Sequence, residues 1–346
     1  MATFVQPIVL AGGAGTRLWP VSTATRPKHL LELLGPGTLL EQTLKRVSDR
    51  RLFAQPIIVC AEAQAEAIKA LAPDCRLILE PFPKGSAAAI AMAAEVVDRT
   101  DMLLVLPSDH HITDEMPLLQ AIEVGLPAAE EGRLVTFGIK PTGAETGYGY
   151  IQSGAEIRGG VLEARSFVEK PPKDVAEHLV GSGSAYWNSG MFLFSAGTLL
   201  EELEKHAPEI QASTSASIAS ATVEGIEIRP DPEALMASPS TSIDYAVMER
   251  SHHIAVVPIE LDWSDVGSWA AVYDLSLKDA DGNVVDHGSH VLGGRGCLVR
   301  SDGARVVAIG VDDLVIVVKG DQILVVPRSE AQRVREAASL ADKGQS

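Results

Sequence analysis

Five short runs in the first 140 residues are almost wholly apolar: 7–11 (PIVLA), 56–60 (PIIVC), 76–80 (RLILE), 102–107 (MLLVLP) and 133–139 (RLVTFGI). A strand with one wet face alternates apolar and polar residues. A run without alternation is covered on both faces, as in a parallel sheet held between helical layers. Helix start signals fall between the runs: Thr38-Leu39-Leu40-Glu41 has the capping-box spacing, and Ser86 opens the alanine-rich stretch 87–98. The alternation predicts an α/β fold, a Rossmann-like doubly wound mixed sheet with right-handed crossovers. In such folds ligands sit beyond the carboxyl ends of the strands.

From about residue 146 the texture changes to glycine- and aromatic-punctuated strands: GYGYIQ, VLEARSFVEKP and YWNSGMFLF. Residues 197–206 read as a helix, and 211–222 as either helix or loop. After about 280, turns (DGN, GGRG, SDG, KGD) separate β-branched runs such as RVVAIGV, LVIVV and QILVVP, with no helix between them. The expected division is a large α/β domain over 1–278 and a small β-rich C-terminal domain over 279–346. The last fifteen or so residues of that domain read as a helix.

Charge narrows the function. Of the 346 residues, 29 are basic and 46 acidic, a net charge of −17, so the chain repels a nucleic-acid backbone and no nucleic-acid partner is expected. No apolar run approaches the length of a membrane span, and the N-terminus lacks the basic start of a signal peptide. Three cysteines (Cys60, Cys75, Cys297) form no CxxC pair, which fits a reduced, cytoplasmic setting. Yet no Asp or Glu precedes Glu32, while Arg17, Arg26 and Lys28 all fall in that stretch, a candidate anion site in an acidic protein.

That stretch opens with Ile8-Val9-Leu10-Ala11-Gly12-Gly13-Ala14-Gly15-Thr16-Arg17. Glycines at a strand's carboxyl end let backbone N–H groups approach a phosphate or a base, and Arg17 adds a planar fork for two phosphate oxygens. The spacing is neither that of a Walker loop nor that of the dinucleotide fingerprint. A tight turn with no ligand has the same sequence, so the loop alone leaves both readings open.

The longer string LAGGAGTRLWPVSTATRPKHLLEL resembles the signature of the sugar nucleotidyltransferases, and its Leu-Trp-Pro followed by Arg-Pro-Lys is similar to the mannose-1-phosphate guanylyltransferase branch. Further matches follow in order: LPSDH (106–110), GYGYI (147–151), FVEKP (167–171), WNSGMF (187–192), SIDYAVME (242–249) and WSDVGSW (263–269). They run from residue 7 to 269, and the tail resembles that family's β-helix-like C-terminal domain.

The resemblance implies transfer of GMP from GTP to α-D-mannose 1-phosphate, giving GDP-mannose and pyrophosphate, for polysaccharide biosynthesis. The attacking phosphate is mostly dianionic near neutrality, its second pKa being about 6, so no general base is needed. The site needs in-line positioning, neutralisation of phosphate charge and a divalent cation, here Mg2+. Arg17 and Lys28 are the candidates for the triphosphate charge, with Arg26 a weaker third. Leu10, Ala11, Gly12, Gly13, Gly15, Thr16, Arg17, Glu80, Ser86 and Ser108 are the expected nucleotide contacts. Gly149, Glu169, Lys170 and Asn188 are expected to take the sugar phosphate. Asp109 and Asp265 are the expected metal ligands; Asp262, which lacks the match, is left out.

Glu80 suits guanine because a carboxylate only accepts, and guanine offers two neighbouring donors. Each acid also has a local alternative: Glu80 a surface turn, Asp109 the turn before Thr113, Asp265 the cap of a helix over 266–273. His110-His111 and His252-His253 are not read as a metal site, since strand neighbours point to opposite faces and no third ligand lies at zinc spacing. One departure stands out: where the family carries Arg-Asn-Thr after Glu80-Pro81, this chain has Lys84-Gly85-Ser86. That leaves open another sugar 1-phosphate (a heptose or glucose) or another nucleotide, and, from a different class, a catalytically silent regulatory homologue. The β-rich tail is a candidate surface for a homodimer.

Overall fold

The computed structural model describes residues 4–13, 16–23, 25–286 and 288–343. The chain gathers into two units. The first holds Met1–Gly12, Thr43–Ser108 and Ile112–Asp262; the second holds Gly13–Gln42, Asp109–His111 and Trp263–Ser346.

In the first unit the apolar runs are strands: β1 (Val5–Ala11), β2 (Ile57–Ala61), β3 (Arg76–Glu80) and β4 (Met102–Pro107). After the two-residue β5 (His111–Ile112) come β6 (Leu134–Ile139), β7 (Tyr150–Arg158), β8 (Val161–Val168), β9 (Ala185–Ser195), β10 (Thr222–Glu224), β11 (Glu227–Arg229) and β12 (Ile254–Ile259). All but β5 join one eleven-stranded sheet, in the order β10-β11-β3-β2-β1-β4-β9-β6-β12-β8-β7. The stretch from β11 to β4 is parallel; β9 enters antiparallel between β4 and β6, making the sheet mixed. The fold is therefore the expected doubly wound α/β class.

The helix Ser86–Glu95 is the densest part of this unit. Ala87 to Ala94 are each at most 6% exposed, so the helix is buried all round. Its methyl-sized side chains admit close approach to β1, β2 and β3 and to the helices Ala196–His206 and Pro208–Ala219. The stretch left open at 211–222 is thus mostly helix. Ser86 begins its helix without capping it: Gly85, at φ 86°, holds the cap position, and Ser86 Oγ instead accepts from the Ile243 N–H at 2.9 Å.

In the second unit the tail forms β13 (Trp263–Ser264), β14 (Val284–Val285), β15 (His290–Leu292), β16 (Leu298–Ser301), β17 (Val307–Ile309), β18 (Leu314–Lys319) and β19 (Gln322–Pro327). β14, β16 and β18 stack in parallel, β15 and β17 make a second parallel pair, and β19 closes the first stack antiparallel. Successive coils giving one strand to each stack are the β-helix-like arrangement. Val284, Leu298, Val315 and Val317 share a core with Trp269 and Tyr273, and with Leu18, Leu31 and Leu33 from the N-terminal stretch. Arg300 Nη2 donates to Leu33 O at 2.6 Å, and Trp269 Nε1 to Trp19 O at 3.0 Å. The reciprocal capping box is present: Thr38 N donates to Glu41 Oε2 (2.7 Å), and Glu41 N to Thr38 Oγ1 (3.2 Å). The final helix runs Val334–Lys343.

Because the alanine helix has no spare volume, Ala91→Leu should cost about 1–3 kcal/mol of stability through overpacking. Urea unfolding of the variant tests this, and an unchanged midpoint would contradict the packing argument.

Candidate active site

In the first unit β1 is flanked by β2 on one side and β4 on the other, so the connections leave β1 in opposite directions. Such a switch point opens a crevice at the carboxyl ends of the two strands. Ser108 N donates to Leu10 O at 3.1 Å, fixing those ends side by side. Leu10 and Ala11 end the strand, Ala11 fully buried, and Gly12 lies exposed with open space where a side chain would stand. The Ser108 hydroxyl is buried and has no hydrogen-bond partner among the described residues.

Glu80 closes β3, two strands away, and is only 8% exposed. A surface turn is therefore not its setting. Burial pushes its carboxyl up to about 7. Beyond it, Lys84 Nζ donates to Met236 O (2.8 Å) and Ser238 O (2.7 Å), and Ser86 Oγ receives the Ile243 N–H. The departing Lys-Gly-Ser stretch is thus tied to the segment 236–243. Gly85 permits that approach: a Cβ there would stand 2.3 Å from Thr241 O.

A second group gathers where β7, β8 and β9 meet. Asn188, on β9, sits beside Gly149 and Glu169. A Cβ on Gly149 would lie 2.4 Å from Glu169 Oε2 and 3.2 Å from Asn188 Cβ, so the three converge on one spot that only glycine leaves open. Lys170 adopts φ 49°, unusual for a side-chain-bearing residue, and its Nζ meets Glu169 Oε1 at 2.5 Å. Asn188 Oδ1 accepts from Gly190 N (3.1 Å) and Thr136 Oγ1 (3.2 Å), while Asn188 Nδ2 donates to Asp244 Oδ1 (3.0 Å). Asp244 has no role assigned from the sequence. Burial, reinforced by the neighbouring Glu169 charge, pushes its carboxyl up to about 6.

The second unit holds the third group. Gly13 stands at φ 93°, and the short turn Thr16–Leu18 carries an exposed Arg17. Ala14, Gly15 and the Thr16 side chain lie outside the described residues. Lys28 follows Pro27 on the turn Lys28–Leu30 and is buried to 8% exposure. Its Nζ lies 2.7 Å from Asp109 Oδ2 and donates to Asp265 O at 2.5 Å, so one ammonium draws together residues from three distant stretches. Partial burial alone would raise the Asp109 carboxyl. The Lys28 charge, with help from His110, overrides this and holds it below the usual aspartate range. Gly267 leaves room for the Asp265 carboxylate, whose oxygens lie 2.9 and 3.2 Å from where a Cβ would stand.

Val266, fully buried, takes φ 47°, a conformation that costs a β-branched residue about 1–3 kcal/mol and is tolerated where surroundings impose it. The local alternatives for both aspartates give way to other residues. The helix Trp269–Leu275 is capped by Ser268, whose side chain accepts from Ala271 N. Ahead of the helix Met116–Glu130, Asp114 Oδ1 accepts from Met116 N at 3.0 Å. Asp262 is exposed and its backbone oxygen accepts from Thr113 N. His110 Nδ1 accepts from Trp263 Nε1 (3.1 Å) and His111 Nδ1 lies 3.3 Å from Gln42 Oε1. Arg26 is exposed and lines a cavity of about 290 Å³ with Glu32, Trp269, Asp286 and Arg300.

The Glu80 shift has a consequence for stability. Its folded carboxyl, raised from 4.5 to about 7, contributes fully below the lower value, and that contribution is lost as pH rises through the upper one. Glu80→Gln should flatten this loss, on the order of 3 kcal/mol at most. Unfolding at about pH 5 and about pH 8 measures it, and an unchanged pH difference would clear Glu80 of the effect.

Comparison with known proteins identifies the family. The Nucleotidyl transferase family model matches residues 6–282, and the MannoseP isomerase/GMP-like beta-helix domain matches 288–339. The mannose-1-phosphate guanylyltransferase of Sinorhizobium fredii is 42% identical over 339 residues, covering 95% of this chain and 66% of that protein. The alginate biosynthesis protein AlgA of Pseudomonas aeruginosa is 39% identical, over 97% of this chain and 72% of its own length. The chain thus spans about two thirds to three quarters of these relatives. A crystal structure described as mannose-1-phosphate geranyltransferase from Thermus thermophilus superposes with a TM-score of 0.88 at 36% identity, covering 99% of this chain and all of that one. This chain therefore belongs to the nucleotidyl transferase family, among the mannose-1-phosphate guanylyltransferases.

Proposed function

We propose that the protein transfers GMP from GTP to α-D-mannose 1-phosphate. A phosphate oxygen of the sugar forms a bond to the α-phosphorus, the bond from that phosphorus to the bridging oxygen breaks, and pyrophosphate leaves with the electron pair. The observation that carries the reading is the convergence of Lys28, Asp109 and Asp265 on one another. It sets a cation against the Asp109 carboxylate and against the backbone of the segment that carries Asp265, charges of the kind that a crowded phosphate centre calls for.

Each residue's role follows from its chemistry. Leu10, Ala11, Gly12, Gly13, Gly15, Thr16 and Ser108 are the residues we assign to the nucleotide, the glycines leaving backbone N–H groups free to meet phosphate oxygens. Arg17 and Lys28 neutralise the charge that gathers on departing pyrophosphate. Glu80 accepts from the two guanine donors, and ionisation on binding matches a carboxyl poised near neutrality. Glu169 and Asn188 take sugar hydroxyls over Gly149, and Lys170 meets the sugar phosphate. Lys84 serves as a tie to the carbonyls of Met236 and Ser238 rather than as a ligand.

Asp109 and Asp265 fit Mg2+. The donors are hard oxygens, and the Lys28 charge favours the ionised form of one of them. Bound there, Mg2+ would supply charge neutralisation at the α-phosphate. The described cysteines are free and buried, and among the described residues no helix is long and apolar enough to cross a membrane; we place the reaction in the cytoplasm.

Pyrophosphate release across nucleoside triphosphates and sugar 1-phosphates tests the reading, with GTP and mannose 1-phosphate as the expected pair. Asp109→Asn and Asp265→Asn should remain folded and lose most Mg2+-dependent turnover; a near-full rate in either would remove that residue from the ligand set. Glu80→Gln should lower selectivity for GTP over UTP roughly tenfold or more, the worth of a charged hydrogen bond. Unchanged selectivity would refute its role in base choice.

A further inference from the structure

The motif Ser242–Glu249 has no part in the roles above, yet it adjoins the sugar group. Its centre, Asp244–Met248, is a π-helical turn closed by the Glu249 N–H on Asp244 O at 2.9 Å. Such turns are rare and recur at functional sites. Ile243, Ala246, Val247 and Met248 are each at most 2% exposed, anchoring the turn in the core. From this anchored base Asp244 Oδ1 accepts from Asn188 Nδ2, and Glu249 Oε1 accepts from the Glu169 backbone N–H at 2.8 Å. One turn therefore holds both residues that take the sugar hydroxyls.

We propose that Asp244 is the positioning residue of the sugar site, fixing which way the Asn188 amide faces, with Glu249 setting the backbone of Glu169. The proposal rests on the reading of Asn188 as a sugar-hydroxyl contact. An amide can be turned end for end, and its two ends offer opposite chemistry to a hydroxyl. Gly190 N can only donate, so it claims Asn188 Oδ1; an ionised Asp244 can only accept, so it claims Nδ2. Thr136 Oγ1 donates to the same Oδ1. The second Nδ2 hydrogen is then the one presented to substrate. Burial and Glu169 disfavour the Asp244 charge, and the Ser242 hydrogen bond and Lys170 favour it. A carboxyl kept at such a cost serves something other than stability.

The test uses the full chain. Asp244→Leu, similar in shape and unable to accept, should raise KM for mannose 1-phosphate roughly tenfold or more, leave KM for GTP unchanged, and keep or raise the melting temperature near pH 8. Asp244→Asn keeps an acceptor and should restore KM to within about threefold of the parent protein. Adding Asp244→Leu to Asn188→Ala should cost nothing further, because the two act as one unit. If Asn188→Ala raises KM for the sugar and Asp244→Leu does not, the positioning role is wrong. A lowered melting temperature with both KM values moved together would likewise overturn it, in favour of a structural role. If Asn188→Ala leaves the sugar KM unchanged, the sugar reading itself fails, and the proposal with it.

Discussion

Covering both faces of a parallel strand leaves only its ends for polar chemistry. β1, β2 and β4 have buried residues on both faces, so along them the interior offers no place for a charged ligand. Backbone polarity and the variable connections both emerge at the carboxyl ends, and there the chain spends its glycines and acids. Gly12 follows β1, Glu80 closes β3, and Ser108 and Asp109 follow β4. The catalytic roles proposed for these residues are consequences of where a buried sheet has to stop.

Charge is managed at two scales. The protein as a whole is strongly acidic, which discourages polyanions. Locally, Lys28 offsets Asp109 and favours its ionised form, which the proposed role as a hard-cation ligand would require. Glu80 and Asp244 show the opposite arrangement: burial works against their ionisation, and both are near the balance point at neutral pH.

The sheet was legible where a run was both apolar and bounded by turn residues, as from 7–11 to 133–139. The strand Ile254–Ile259 gave no such signal because Pro258 interrupts it. In the fold, β8 pairs with β12 only at Ala255 and Val256, so the missing N–H of Pro258 breaks no ladder on that side. Ser86 had the right residue type for a cap, but Gly85 at positive φ took the position and released the hydroxyl to Ile243. Candidate site residues on short motifs could be proposed from the sequence. Partnerships across long separations could not: nothing local ties Asn188 to Asp244, 56 positions apart, or Lys28 to Asp265, 237 positions apart. Burial of Glu80 was equally invisible, since a glutamate before a proline turn is ordinarily wet.

The missing side chain at Gly149 limits what this chain can accommodate beside Glu169 and Asn188. Glu169 and Asn188 close around a space too small for even one methyl group. A Cβ there would have to push the Glu169 carboxylate aside and crowd Asn188, so any added bulk would act first on the two side chains proposed to meet the sugar. An engineer seeking a different sugar 1-phosphate through the proposed site would do well to keep that glycine and vary the frame around it.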